Sequence, residues 1–216
     1  MTRAVAVFAK YPEPGKVKTR LAKDIGEQNA ADLAQALLLD NLAILNSIPN
    51  IHTRIFCAPD DQPQQYQTIL PRYYPIQKQQ GADLGERMYN AAKCLLKDYQ
   101  EVAIIGTDCI DFTTHGLQKL FEKLKHNDLS IIPVHDGGYI AIAMTKLYKQ
   151  IFLNMEWSHS QVLEQTISKY KATTKNKRPA ILKPVYDIDE IKDLQKTLTN
   201  QQKTDYKHFY KKINQL

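Results

Sequence analysis

Apolar positions along the chain follow two rhythms. Short continuous runs rich in Val, Ile, Ala and Phe alternate with longer stretches in which Leu, Ala, Ile or Met return every third or fourth residue. The first run, Arg3 to Ala9, reads as a strand buried on both faces of a parallel sheet. Ala30, Leu33, Ala34, Leu37, Leu38, Leu42 and Leu45 then place a helix with one apolar face over 27–47, ended by Pro49-Asn50. Further strands are expected at 51–57, 73–77, 102–105, 129–134, 139–144 and 181–185. Helices are expected over 63–70, from Asp83 through Leu95, around Leu117 to Leu124, from His159 to Tyr170 with Ser158 as N-cap, and around Ile191 to Leu198. Strand alternating with helix calls for a layered α/β fold, a mostly parallel sheet with helices on both faces.

Open sheets of this kind bind ligands at the carboxyl ends of their strands. Three polar stretches fall at such ends: 10–20, 106–111 and 135–138. In the first, Lys10, Lys16, Lys18 and Arg20 crowd around two prolines and Gly15, with Glu13 the one acid. Like charges repel, so the loop is either a solvated surface or a seat for an anion. Gly15 lets backbone N–H groups approach a ligand, and Arg20 offers a bidentate guanidinium to phosphate. Neither a complete P-loop nor GxGxxG is present.

Thr107 and Asp108 follow the buried run 102–105. A carboxylate placed there suits Mg²⁺ or Mn²⁺, which take oxygen ligands and bridge substrate phosphates. Asp108 is the expected metal ligand, with Asp111 as a helix cap or supporting partner. Asp136-Gly137-Gly138 reads first as a hairpin turn. It could instead leave room for a ligand that Asp136 contacts. His159 and Trp157 have ordinary structural readings, with a substrate contact as the alternative. Asp187 and Asp189 could cap the last helix or add a carboxylate to the site.

Composition narrows the class. The 216 residues carry 29 Lys and Arg against 23 Asp and Glu, a formal charge of +6, which suits phosphorylated small molecules, nucleic acid or acidic lipid without choosing among them. Basic and aromatic residues do not interleave as in a nucleic-acid groove, so no specific nucleic-acid partner is expected. Cys57, Cys94 and Cys109 form no CxxC pair, and reduced thiols in a cytoplasmic protein without a membrane span are expected. One domain over 1–200 is expected, followed by a basic tail or peripheral helix over 201–216.

The stretches FAKYPEPGKVKTRL, QQGADLGERM, IGTDCIDF, PVHDGGYIAIAM, WSHSQVLEQT and DIDEIKDL occur in an order that resembles the DUF2064, or selenodomain-associated transferase, family. The resemblance runs from residue 5 to about 195. It implies a three-layer α/β/α sandwich of the nucleotide-diphospho-sugar transferase (GT-A) type. It further implies a first loop that holds nucleotide phosphates, a divalent metal on Asp108, and Asp136 to Gly138 lining the acceptor side. Asp83, Glu86 and Arg87 match the family's DLGER, with Arg87 in reach of a phosphate. Ile110 stands where the family has Pro, His159 where it has Thr, and Ala141 and Ala143 replace small residues partly.

The resulting expectation is a metal-dependent glycosyltransferase using a nucleotide sugar, with Asp136 or His159 as base for a small-molecule acceptor. Its rival is a nucleotidyltransferase that joins an NTP to a phosphorylated small molecule with release of pyrophosphate. A third possibility is a basic binding protein on the same scaffold.

Overall fold

The computed structural model describes residues 2–110, 112–199 and 205–215. Arg3–Ala9 (β1) leads through the cationic loop to a short helix, Ala22–Ile25 (α1), and to the long helix Glu27–Asn46 (α2). Then follow Ile51–Cys57 (β2), a 3₁₀ turn at Pro63–Thr68, Ile76–Lys78 (β3), Leu84–Leu95 (α3) and Glu101–Ile105 (β4). Thr114–Lys123 (α4), Leu129–Pro133 (β5), Tyr139–Met144 (β6), Val162–Thr173 (α5), Ala180–Ile181 (β7), Ile191–Thr199 (α6) and Lys207–Ile213 (α7) complete the order.

The seven strands form one sheet in the order β3-β2-β1-β4-β6-β5-β7. β6 pairs antiparallel with β4 and β5, and the other pairings are parallel. Alternation along each strand feeds two cores. Val5, Val7, Ile55 and Ile105 face the layer that includes Leu33 and Leu37 of α2 and Leu117 and Leu120 of α4. Ala4, Ala6, Ile104 and Ile142 face Met88 and Ala92 of α3 and Tyr170 of α5. Two helix layers on one sheet explain why whole strands read as continuous apolar runs. The parallel strands end, and β6 begins, on the same edge. That edge therefore collects residues 10–20, 106–110, 134–138 and 182–190.

Local differences from the sequence reading have physical causes. Ser158 does not cap α5: it lies in the left-handed region at φ 67°, and the helix starts at Val162. Its first turn is anchored instead by Leu163 N–H donating to Gly137 O at 2.9 Å. The last strand is only two residues long, because Pro184 lacks an N–H, although Val185 N–H still reaches Pro133 O at 3.0 Å. α2 is buried on more than one face. Asp40, on its second face, accepts the amides of His208 and Phe209 at 3.0 and 2.8 Å, docking α7. Thr113 caps α4, its side chain accepting from Gly116 N–H at 3.1 Å. Asp111 and residues 200–204 of the tail lie outside the described residues. No helix among the described residues is long and apolar enough to cross a membrane.

Candidate functional site

The loop after β1 is held from both ends. Tyr11 N–H donates to Asp61 Oδ2 at 2.6 Å, and the buried Tyr66 hydroxyl donates to the same oxygen at 2.8 Å. Burial and the adjoining Asp61 carboxylate push the Tyr66 hydroxyl well above its ordinary range. Gly15, at φ 77°, closes a turn in which Lys16 N–H meets Glu13 O at 3.0 Å. Val17 and Leu21 are buried and pin the loop's far side to the core.

Between those anchors the chain drives Lys18 inward at φ 44°, a conformation a lysine seldom adopts. Its ammonium, on a side chain 3% exposed, sits 2.5 Å from Asp108 Oδ1 and 2.7 Å from the carbonyl of Ile188. Ile188 N–H returns to Asp108 O at 3.0 Å, and Cys109 pairs with Asp187 in an isolated antiparallel bridge. Lys18 thus ties three chain segments together: the first loop, the end of β4 and the approach to α6.

Four carboxylates gather around this tie. Burial, then the Asp136 charge, then Asp189 and Asp193 push the Asp187 carboxyl above its usual range. Burial also raises Asp189; Asp108 and Asp193 add to the rise, while Lys18 and Arg20 oppose it. Among the described residues neither Asp187 nor Asp189 caps α6 with its side chain; Asp193, in the first turn of α6, accepts Glu190 N–H at 3.0 Å. The charge of Asp136 acts on Asp187, and those of Asp108 and Lys18 act on Asp189.

A cavity of about 320 Å³ opens next to the Lys18–Asp108 pair. Lys10, Lys16, Lys18, Thr107 and Asp108 line it, together with Phe8 of β1, Gln79 just past β3 and Leu84 of α3. Lys16 leans on Glu13 at 2.9 Å at the surface, and Lys10 is exposed with no acid bound to it among the described residues. Gln79 is fixed by donating to Phe56 O at 2.9 Å.

The remaining expected residues are placed differently. Gly15 shapes the turn beside Glu27 and does not line the cavity. Arg20 is exposed and lies in the electrostatic neighbourhood of Asp189 and Glu190. Arg87 donates to the carbonyls of Gly81 and Ala82 at 3.2 and 3.5 Å, bracing the loop ahead of α3. Asp136 is exposed; its Oδ1 accepts Gly138 N–H at 2.9 Å within the β5–β6 turn. The space above Gly137 belongs to Ser160, whose carbonyl would lie 1.9 Å from an added Cβ. That glycine permits a chain crossing. Gly138 has its own turn as neighbour, Asp136 Oδ1 at 3.3 Å.

His159 Nδ1 accepts the Gln161 amide at 3.1 Å, so the neutral ring carries its proton on Nε2, which is buried without a partner among the described residues. In that form His159 is a donor. Trp157 packs edge-on to Tyr139 and against Gly85. Beside the carboxylates, His135 stacks on Tyr186 at 4.0 Å between ring centres, and Tyr186 is 51% exposed. Sequence reading passed over this pair, since neither residue belongs to a catalytic pattern.

Among the described residues no three of His, Cys, Asp or Glu form a group able to hold a metal ion by themselves. Mg²⁺ seldom asks for one, since it takes one or two carboxylates and completes its shell with water and substrate phosphate. Carboxylates whose proton affinity is raised by burial and, after that, by one another's charge are chemically suited to such an ion.

The DUF2064 family model, described as an uncharacterized protein conserved in bacteria, matches residues 42–159. A solved structure of a candidate nucleotide-diphospho-sugar transferase from Desulfovibrio desulfuricans G20 is similar over 97% of this chain and 94% of its own, with a TM-score of 0.89 and 30% identity. The 4-diphosphocytidyl-2C-methyl-D-erythritol synthase of Anaerococcus prevotii DSM 20548 is similar over 94% of this chain and 99% of its own, at TM-score 0.57 and 13% identity. The inositol-1-phosphate CTP transferase of T. maritima is similar over 98% and 96%, at 0.58 and 11%. The last two likenesses are of fold alone. No curated protein sequence matches the chain.

Proposed function

This chain belongs to the DUF2064 family, and from that premise we propose that it is a transferase that moves a glycosyl group from a nucleotide-diphospho-sugar to a small acceptor. The observation that carries the reading is the cavity where Lys10 and Lys16 face Thr107 and Asp108 across the end of the sheet. Its cations are set where a diphosphate leaving group would gain charge, and fixed charges aimed at developing charge are often the largest catalytic effect. Lys18 keeps Asp108 and the Ile188 carbonyl in place while the donor binds. A divalent ion held by Asp108 and Asp189 with the donor phosphates would supply further neutralisation of the diphosphate.

In the transfer, the acceptor oxygen bonds to the anomeric carbon as the bond from that carbon to the diphosphate oxygen breaks. The acceptor proton passes to Asp136, which is exposed. His159, with Nδ1 engaged by the Gln161 amide and Nε2 buried, leaves the base role to Asp136. The exposed ring of Tyr186, backed by His135, offers the acceptor a stacking face.

Nucleotidyl transfer is the second reading. The lysines Lys10, Lys16 and Lys18 in one cavity favour it, since a triphosphate needs many cations. Against it, the Lys18 charge is already spent on Asp108, which leaves Lys10 and Lys16 for the donor. A panel of sugar nucleotides and NTPs, each with and without Mn²⁺, separates these readings by thermal shift. A binder at a hundredfold over its dissociation constant stabilises by about 2.7 kcal/mol. Stabilisation by sugar nucleotides above that by NTPs supports glycosyl transfer, and no response to any nucleotide counts against both.

A further inference from the structure

A second cavity, about 480 Å³ and so larger than the first, shares none of the first cavity's lining residues. It is cut between α4 and the stretch 181–185, which begins at the end of β7. Ile132, Ile181 and Val185 are among its apolar residues, and Ile181 is 43% exposed at its mouth. Lys119, Lys123 and Lys183 line it as well, and all three are exposed. Among the described residues no acid lines the cavity, and no carboxylate pairs with any of the three lysines. Its volume is within the ordinary range for small-ligand sites, about 300–1,000 Å³.

Three ammonium groups around an apolar floor repel one another until an anion arrives, and an apolar floor of this kind is left wet until an apolar group covers it. Both needs are met by one molecule with two ends. A peptide strand added to the sheet edge fits less well. Leu182 N–H and Val185 N–H already donate inward to Ile131 O and Pro133 O at 2.9 and 3.0 Å, and Pro179 and Pro184 have no N–H to offer. We propose that this cavity binds a small amphipathic anion, its apolar body on Ile132, Ile181 and Val185 and its carboxylate or phosphate held by Lys119, Lys123 and Lys183.

Titration of the full-length chain with octanoate, octyl phosphate, 1-octanol and inorganic phosphate, all below micelle-forming concentration, tests this. Amide chemical shifts of α4 and 181–185 report the site. Octanoate or octyl phosphate should shift these signals with saturation, and which of the two binds tighter identifies a carboxylate or a phosphate source. Lys119→Glu and Lys183→Glu should each weaken that binding by about tenfold or more, and Ile181→Asp should do the same. The fold of each variant is checked by its circular dichroism and its melting temperature. Equal binding of 1-octanol, no saturable shift with either anion, or unchanged affinity in the lysine variants would overturn the proposal. So would an acidic, apolar peptide that shifts these signals where the small amphiphiles do not.

Discussion

Lys18 and Asp108, ninety positions apart, meet with Nζ 2.5 Å from Oδ1, and the same ammonium closes on the carbonyl of Ile188 at 2.7 Å. The two halves of this tie differ in worth. Asp108 is 55% exposed, so its charge pairing is screened by water. The bond to the Ile188 carbonyl is the sheltered half. Lys18→Met keeps the aliphatic stem but strands that carbonyl, and a stability loss of about 1.5–3 kcal/mol is expected, the range for a bond to a charged group. Urea unfolding measures it; a loss below about 0.5 kcal/mol would show that the tie is not structural.

Asp187 is held above its ordinary carboxyl range by burial and by the charge of Asp136. The folded chain therefore binds more protons than the unfolded one between the normal value, 3.8, and the raised one. Stability attributable to this group falls as pH rises through that window and stays lowered above it. Asp187→Asn should accordingly melt higher than wild type at pH 7, by about 2–4 °C for each kcal/mol relieved in a chain of this size. The advantage should vanish below the normal carboxyl range.

Gly137 sits at φ 94° with the Ser160 carbonyl where its Cβ would go. Gly137→Ala must move the 157–161 segment or the turn, and left-handed backbone alone costs about 1–3 kcal/mol. We expect a destabilisation of at least that size, read by denaturant unfolding, and loss of hydrogen-exchange protection at Leu163, whose amide bonds to Gly137 O. Gly138→Ala has 3.3–3.4 Å clearances and no positive φ, so it should cost far less.

Tyr186 offers an exposed ring backed by His135. If the acceptor stacks there, Tyr186→Ala should raise the acceptor KM by about five- to tenfold, the worth of one stacked ring at about 1 kcal/mol. The donor KM should stay within twofold. Equal changes in both would place the ring outside the acceptor's path.

Much of the fold could be read from local pattern, because two helix layers leave continuous apolar strands and helix-period stripes. The span 51–57 and the span 139–144 have the expected ends. What escaped depends on distant pairings that no window contains. Asp61 supports Tyr11 from fifty positions away, and Asp40 receives α7 across 168. The site was legible in the same uneven way. Strand-end logic brings Lys10, Lys16 and Lys18 to the same cavity as Thr107 and Asp108. It could not tell that Lys18 would be turned inward and its charge used, nor that Arg87 would be occupied by its own loop. Asp187 and Asp189 could be read as caps of the following helix or as site carboxylates, and no local pattern showed that Asp193 would be the residue to accept Glu190 N–H.

The central claim is best tested by the identity of the released product. The chain is incubated with Mn²⁺, a small-molecule acceptor pool and, separately, sugar nucleotides and NTPs, and nucleoside diphosphate and pyrophosphate are quantified. Acceptor-dependent release of nucleoside diphosphate from a sugar nucleotide is expected, reduced at least about a hundredfold by Asp108→Ala, as for loss of one transition-state contact. Pyrophosphate from an NTP with no nucleoside diphosphate from any sugar nucleotide would contradict it.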